Sequence, residues 1–214
     1  MDTHALQNTL TVSKTARYYT LGTFSETTQE VWVVLHGYAQ LASDFLIPFS
    51  TLNDGFRYII APEGLNKFYA KGFGGKPAAT WMTSEMREQE IADYISYLDL
   101  LYQTLGLERG SHKIMLLGFS QGVATATRWL HHTSHRIDEL IVYAGEVAAE
   151  LRNPVAPKLL SIPITYVTGN NDRLISPEKL ADVRLFMQQL NAREIVFDGG
   201  HEVKAEVLKT LLLN

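Results

Sequence analysis

Short apolar runs recur along the chain, and most are separated by longer stretches whose apolar positions fall three and four residues apart. The first pattern predicts strands over Ala16–Leu21, Val31–Leu35, Arg57–Ala61, Lys113–Leu117, Leu140–Ala144, Ile164–Thr168 and Glu194–Phe197. Four of those from Val31 onward are nearly continuous runs rather than alternating ones, which suits a parallel sheet covered on both faces. The second pattern predicts helices. The clearest spans Ser84–Leu105, with Ile91, Ile95, Leu98, Leu101, Tyr102 and Leu105 on one face. It opens with Thr83-Ser84-Glu85 and stops at Gly106. Pro177–Leu190, Glu202–Leu213 and the segment Val123–Leu130 read the same way. Strands alternating with helices predict an α/β fold with a mostly parallel central sheet and helices on both faces. The two N-terminal strands, joined by the polar turn Ser25–Gln29, are expected to form an antiparallel hairpin at one edge.

Composition narrows the functional classes. With 214 residues, no internal repeat and no long linker, the chain is expected to form one domain, residues 1–214. A formal charge of −4 with no basic run gives no footprint for nucleic acid or an anionic membrane. The N-terminus lacks the apolar core of a secretory signal and no apolar run approaches a bilayer span, so a cytoplasmic protein without stable membrane association is expected. Zero cysteines exclude a thiol nucleophile, a disulfide framework and a cysteine-ligated metal.

Candidate chemistry lies at the ends of the strands, where sheets of this kind bind ligands. Ser120 sits in Gly118-Phe119-Ser120-Gln121-Gly122, directly after the run Ile114–Leu117 and before a helical segment. Strand, sharp turn and helix is the geometry that lifts a serine hydroxyl clear of the backbone. A serine is a poor nucleophile at neutral pH and needs a base. His201 follows the last strand in Asp198-Gly199-Gly200-His201, whereas His112 lies at the wrong end of the sheet and His131, His132 and His135 lie more than about 10 Å from Ser120 at 1.5 Å per residue. The base needs a carboxylate on its other nitrogen. Asp172, after the strand Ile164–Thr168, is preferred; Asp198 competes with it, and Asp172 could instead cap the turn before Ser176-Pro177. Backbone donors for a developing oxyanion are expected from Gln121, at a helix N-terminus, and from Tyr38, after His36-Gly37.

In these motifs, and in their order from Val31 to the C-terminus, the chain resembles the phospholipase/carboxylesterase family of α/β-hydrolases, which includes acyl-protein thioesterases and small bacterial carboxylesterases. The resemblance implies an α/β-hydrolase fold without a large lid domain, a Ser120–His201–Asp172 triad, an oxyanion hole from the Tyr38 and Gln121 amides, and no cofactor or metal. Departures fall around the pockets: Tyr38 stands where Leu is common, Trp81-Met82-Thr83 where Trp-Phe-Asp is common, and Ala144-Gly145-Glu146-Val147 where Ser-Gly, an apolar residue and Pro are common.

Two weaker signals are set aside. His131 and His135 have zinc-pair spacing but lack the intervening glutamate, and Gly72–Lys76 lacks the flanks of a phosphate loop. Lys67–Ala79 reads as a mobile loop beside the site. Phe68, Tyr69, Phe73 and Trp81 are either pocket or ordinary core and loop aromatics; Phe73, Trp81 and Glu146 are carried forward as substrate-binding candidates. The expected function is hydrolysis of small-molecule carboxylic esters with short to medium acyl chains through an acyl-enzyme. A thioesterase or lysophospholipase for longer chains is the alternative within that class. A non-catalytic ligand-binding module on the same scaffold is the alternative outside it, against which the presence of all three triad candidates argues. Nothing in the chain sets an oligomeric state.

Overall fold

A computed structural model describes residues 5–212. Seven strands form one sheet in the order β1-β3-β2-β6-β7-β8-β9. They are β1 (Tyr18–Leu21), β2 (Glu30–Leu35), β3 (Arg57–Pro62), β6 (Lys113–Phe119), β7 (Glu139–Tyr143), β8 (Ile164–Gly169) and β9 (Arg193–Phe197). All neighbours are parallel except β1, which runs antiparallel to β3. The near-continuous apolar runs are explained by alternation across a sheet covered on both sides. Val31, Val33 and Leu35 of β2 pack on one face beside Leu98, Tyr102 and Trp129. Trp32 and Val34 pack on the other beside Phe45, Phe49 and Leu52. Helices α2 (Arg87–Thr104), α3 (Gln121–His132) and α4 (Pro177–Gln189) cover the first face. The short α1 (Ala42–Phe45), a 3₁₀ turn at Ile47–Leu52 and α5 (Ala205–Thr210) cover the second. No helix among the described residues is long and apolar enough to cross a membrane.

Four expectations need correction. The N-terminal pair is not a hairpin: β1 is antiparallel and at the edge, but its partner is β3, because both edges of β2 are taken by β3 and β6. The Lys67–Ala79 segment is a two-stranded ribbon, β4 (Asn66–Tyr69) against β5 (Pro77–Thr80), in the register Asn66↔Thr80 to Tyr69↔Pro77. Its glycine-rich middle is only the turn. Helix α2 begins at Arg87 rather than Ser84, because Thr83 N–H is held by the side chain of Glu90, whose other oxygen accepts from Asn66 Nδ2 at 2.8 Å. The last helix starts at Ala205 rather than Glu202, since the Lys204 N–H donates to Tyr143 Oη at 3.2 Å and holds the chain extended after His201. The expected end of that helix, Leu213, lies outside the described residues.

Candidate active site

The turn between β6 and α3 puts Ser120 at φ 53°, ψ −119°, a sparsely populated conformation for a residue with a side chain. Ser120 N–H donates to Tyr143 O at 3.0 Å and so ties the turn to β7. The two flanking glycines are required by close approach. A Cβ on Gly118 would lie 2.5 Å from Gly122 O, and one on Gly122 would lie 2.2 Å from Leu35 O. Any larger residue at either place would push α3 off the sheet.

The loops after β8 and β9 bring Asp172 and His201 together. His201 Nδ1 and Asp172 Oδ2 are 2.7 Å apart, with the carboxylate side chain 3% exposed. The second carboxylate oxygen, Oδ1, accepts from Leu174 N–H at 2.9 Å. Asp172 therefore fixes its own loop with one oxygen and the imidazole with the other, combining the two roles that the sequence set against each other. Asp198 faces elsewhere: its Oδ1 accepts from Asn171 Nδ2 at 3.1 Å. Ser120, Asp172 and His201 all line one cleft of about 300 Å³. No hydrogen bond joins the Ser120 hydroxyl to His201 among the described residues, a geometry common before substrate binds.

Opposite His201, the β2 exit loop is fixed from inside. His36 is fully buried. Its Nε2 accepts from Gly64 N–H at 2.9 Å, so its proton is on Nδ1, which donates to Gly37 O at 2.7 Å. Burial pushes the His36 imidazole down to about 4, which keeps it neutral. The Gly37 carbonyl and the Tyr38 N–H belong to one planar trans peptide and point oppositely, so anchoring the oxygen aims the N–H. Gly37 N–H donates to Gln40 Oε1 at 2.8 Å and Ala39 N–H to Ala79 O at 3.0 Å, which docks the ribbon on this loop. The Tyr38 and Gln121 N–H groups have no acceptor among the described residues. Both are available to an oxyanion.

The Gln121 side chain has a separate task. Its Oε1 accepts from Thr80 Oγ1 at 2.9 Å and Trp81 N–H at 3.2 Å, and its Nε2 donates to Met82 O at 3.0 Å. It clamps the start of α3 to the end of β5. Sequence reading placed His36 only as the residue leading into the Tyr38 loop and did not single out Thr80, since the partners that fix them lie dozens of residues away.

The substrate-binding candidates separate. Glu146 lines the cleft. Trp81 does not: it is buried, stacks on His36 with ring centroids 5.0 Å apart and donates from Nε1 to His36 O at 2.8 Å. Phe73 does not either, because it stands fully exposed at the ribbon turn. The Tyr38 ring packs on Phe68 at 5.3 Å and is absent from the cleft lining, so it does not crowd the cleft. Sequence reading missed Leu174, Ile175 and Lys179, which complete the wall after Asp172. Their position directly after the acid loop was the available signal. The His131/His135 spacing is not helical here, since α3 ends at His132 and the His135 ring stacks on Tyr102 at 4.3 Å.

The chain is similar in fold to solved structures of esterase PE8 (20% identity, TM-score 0.69, covering 92% of this chain and 98% of that one) and Zea mays acyl-protein thioesterase 2 (20%, 0.69, 93% and 99%). It is also similar to a phospholipase/carboxylesterase from Dyadobacter fermentans DSM 18053 (14%, 0.64, 95% and 99%). These likenesses show the α/β-hydrolase fold, without a large lid domain, and agree with the resemblance drawn from the motifs. No curated protein sequence matches significantly. A family model described as "Serine hydrolase (FSH1)" matches residues 29–207, which include the elbow and both loops. The chain belongs to the FSH1 serine hydrolase family.

Proposed function

We propose that the protein hydrolyses small carboxylic esters of short to medium acyl chain through an acyl-enzyme, with Ser120 as nucleophile, His201 as base and Asp172 as the acid that orients it. The observation that carries this reading is the 2.7 Å pair of His201 Nδ1 and Asp172 Oδ2, facing the same cleft as a serine held at positive φ. With Nδ1–H donated to Asp172, the lone pair of His201 is on Nε2, which takes the Ser120 proton as Oγ bonds to the acyl carbon. The oxyanion is received by the Tyr38 and Gln121 N–H groups, the second at the positive end of α3. Collapse of the tetrahedral intermediate breaks the acyl–oxygen bond, and the imidazolium gives its proton to the departing alcohol. Water, deprotonated by the same nitrogen, then releases the acid. A fluorophosphonate probe tests the reading: it should label Ser120 and leave Ser120→Ala unlabelled, and acetyl and butyryl esters should turn over. An unlabelled, folded wild-type protein that hydrolyses neither esters nor thioesters would be a binding module.

A further inference from the structure

The cleft that holds Ser120 also holds an ion pair that the chemistry above does not use. Glu146 comes from the β7 exit, one residue after Gly145, whose backbone lies so close to the elbow that a Cβ there would be 2.6 Å from Ser120 O. Lys179 comes from the first turn of α4, beyond the Asp172 loop. Lys179 Nζ and Glu146 Oε2 are 2.7 Å apart, and the two side chains are 45% and 44% exposed. Arg152 Nη1 lies 3.8 Å from the same oxygen and is itself held by Asp182 Oδ2 at 2.9 Å. Ala124, Ala144, Leu174 and Ile175 supply the apolar lining of the cleft.

We propose that the Glu146–Lys179 pair is the acyl-length determinant of the site, a strap joining its two walls that admits short neutral acyl groups and turns away long ones. The proposal rests on the serine hydrolase reading and specifies its substrate class. An acyl chain gains on the order of fourfold in kcat/KM for each methylene it buries against the apolar lining. Once the lining is used up, a further methylene has to cover the ion pair, taking both charges out of water, or part it and leave each charge without its partner. The gain with length should therefore stop and reverse. Because Glu146 pairs with Lys179 and Asp182 with Arg152, an acyl group ending in a carboxylate finds no unpaired cation on this wall of the cleft among the described residues.

The test is kcat/KM for p-nitrophenyl esters from acetate to palmitate, read as the ratio of decanoate to butyrate, with fluorophosphonate labelling of Ser120 in every variant. The Glu146→Leu/Lys179→Leu double variant should raise that ratio by about tenfold or more. Lys179→Arg, which keeps the pair, should retain the wild-type ratio. Glu146→Gln, which leaves Lys179 without its carboxylate while Arg152 stays paired with Asp182, should raise hemisuccinate over butyrate by about tenfold. The near-isosteric Glu146→Gln/Lys179→Met double variant, which removes both charges with little change of volume, should shift the profile in the same direction even if the leucine variant folds poorly. An unchanged decanoate-to-butyrate ratio in either labelled double variant overturns the proposal, as does a wild-type profile still climbing beyond about twelve carbons. Absence of labelling in the wild type would instead defeat the serine hydrolase reading itself.

Discussion

The two flanks of Ser120 are built from opposite materials. On one side, the buried His36 and Trp81 and the half-buried Gln121 side chain form a neutral network whose hydrogen bonds are internal. On the other, Glu146, Lys179 and Arg152 form a half-exposed ionic cluster between β7 and α4. In the proposed mechanism the first flank holds two backbone N–H groups in fixed directions, and preorganised dipoles act without reorganising at the moment of reaction. The second meets whatever the substrate brings. Exposed ion pairs contribute little to stability, so their side chains can change at small cost to the fold. Damage to the buried flank should therefore appear in turnover and stability, and damage to the ionic flank in substrate preference.

The largest effects test the chemistry that lies between the two flanks. Ser120→Ala or His201→Ala should lower kcat by about a millionfold, and the double variant should be hardly worse, because residues acting as a unit are not additive. Asp172→Asn should cost about ten-thousandfold, since the amide favours the wrong imidazole tautomer. Asp198→Asn should cost no more than about tenfold, as Asp198 faces Asn171 and not His201. If Asp198→Asn proved the more damaging change in a folded protein, the assignment of the acid would be lost.

Next in size is a stability effect confined to the buried flank. The His36 imidazole lies at about 4 in the folded protein against 6.5 for the ordinary side chain, because burial disfavours its charged form. The unfolded chain therefore binds more protons between those values. The stabilisation is fully present above about pH 6.5 and is lost as pH falls towards 4, amounting to about 3 kcal/mol. Glu150 adds to this only at the acid end: burial opposes its charge, but Arg128 outweighs that and holds the carboxyl at about 2, so its contribution is lost as pH falls from the ordinary value of 4.5 towards 2. Urea unfolding from pH 8 to pH 4 should show falling stability across the His36 window in the wild type. His36→Gln, less stable at pH 7, should show a much flatter profile there. A wild-type profile flat from pH 7 to 4.5 would mean that His36 is not held neutral by burial.

What could be read in the sequence was whatever depends on neighbours along the chain. The elbow is local: apolar run, two glycines and helix all lie within residues 114–130, and the strand-end positions of Asp172 and His201 follow from apolar runs of the same kind. Pairings between distant segments were not legible. Nothing within Ala16–Leu21 distinguishes β2 from β3 as its partner, and nothing within Asn66–Tyr69 announces Pro77–Thr80 across a glycine-rich turn. Trp81 failed as a pocket residue for the same reason, since its burial depends on His36 and Tyr94 from other elements. Glu146 could be named from its place after β7, but its partner Lys179 stands on α4 and only the fold joins them.

The smallest expected effect concerns the ribbon, which belongs to neither flank at its tip. Phe73 lies between Gly72 and Gly74, fully exposed, with no aromatic partner among the described residues and no place in the cleft lining. The base of the ribbon is fixed, through Ala79 O to Ala39 N–H and through Asn66 to Glu90, so the tip stays outside the cleft without help from Phe73. Phe73→Ala should change stability by no more than about 0.5 kcal/mol, the usual range for a surface residue without partners. It should also leave kcat/KM for butyryl and decanoyl esters within about twofold. A tenfold loss with the longer ester alone would show that the tip folds down over bound substrate. The ribbon would then count as a third wall of the cleft, and acyl length would be sensed there as well as at Glu146 and Lys179.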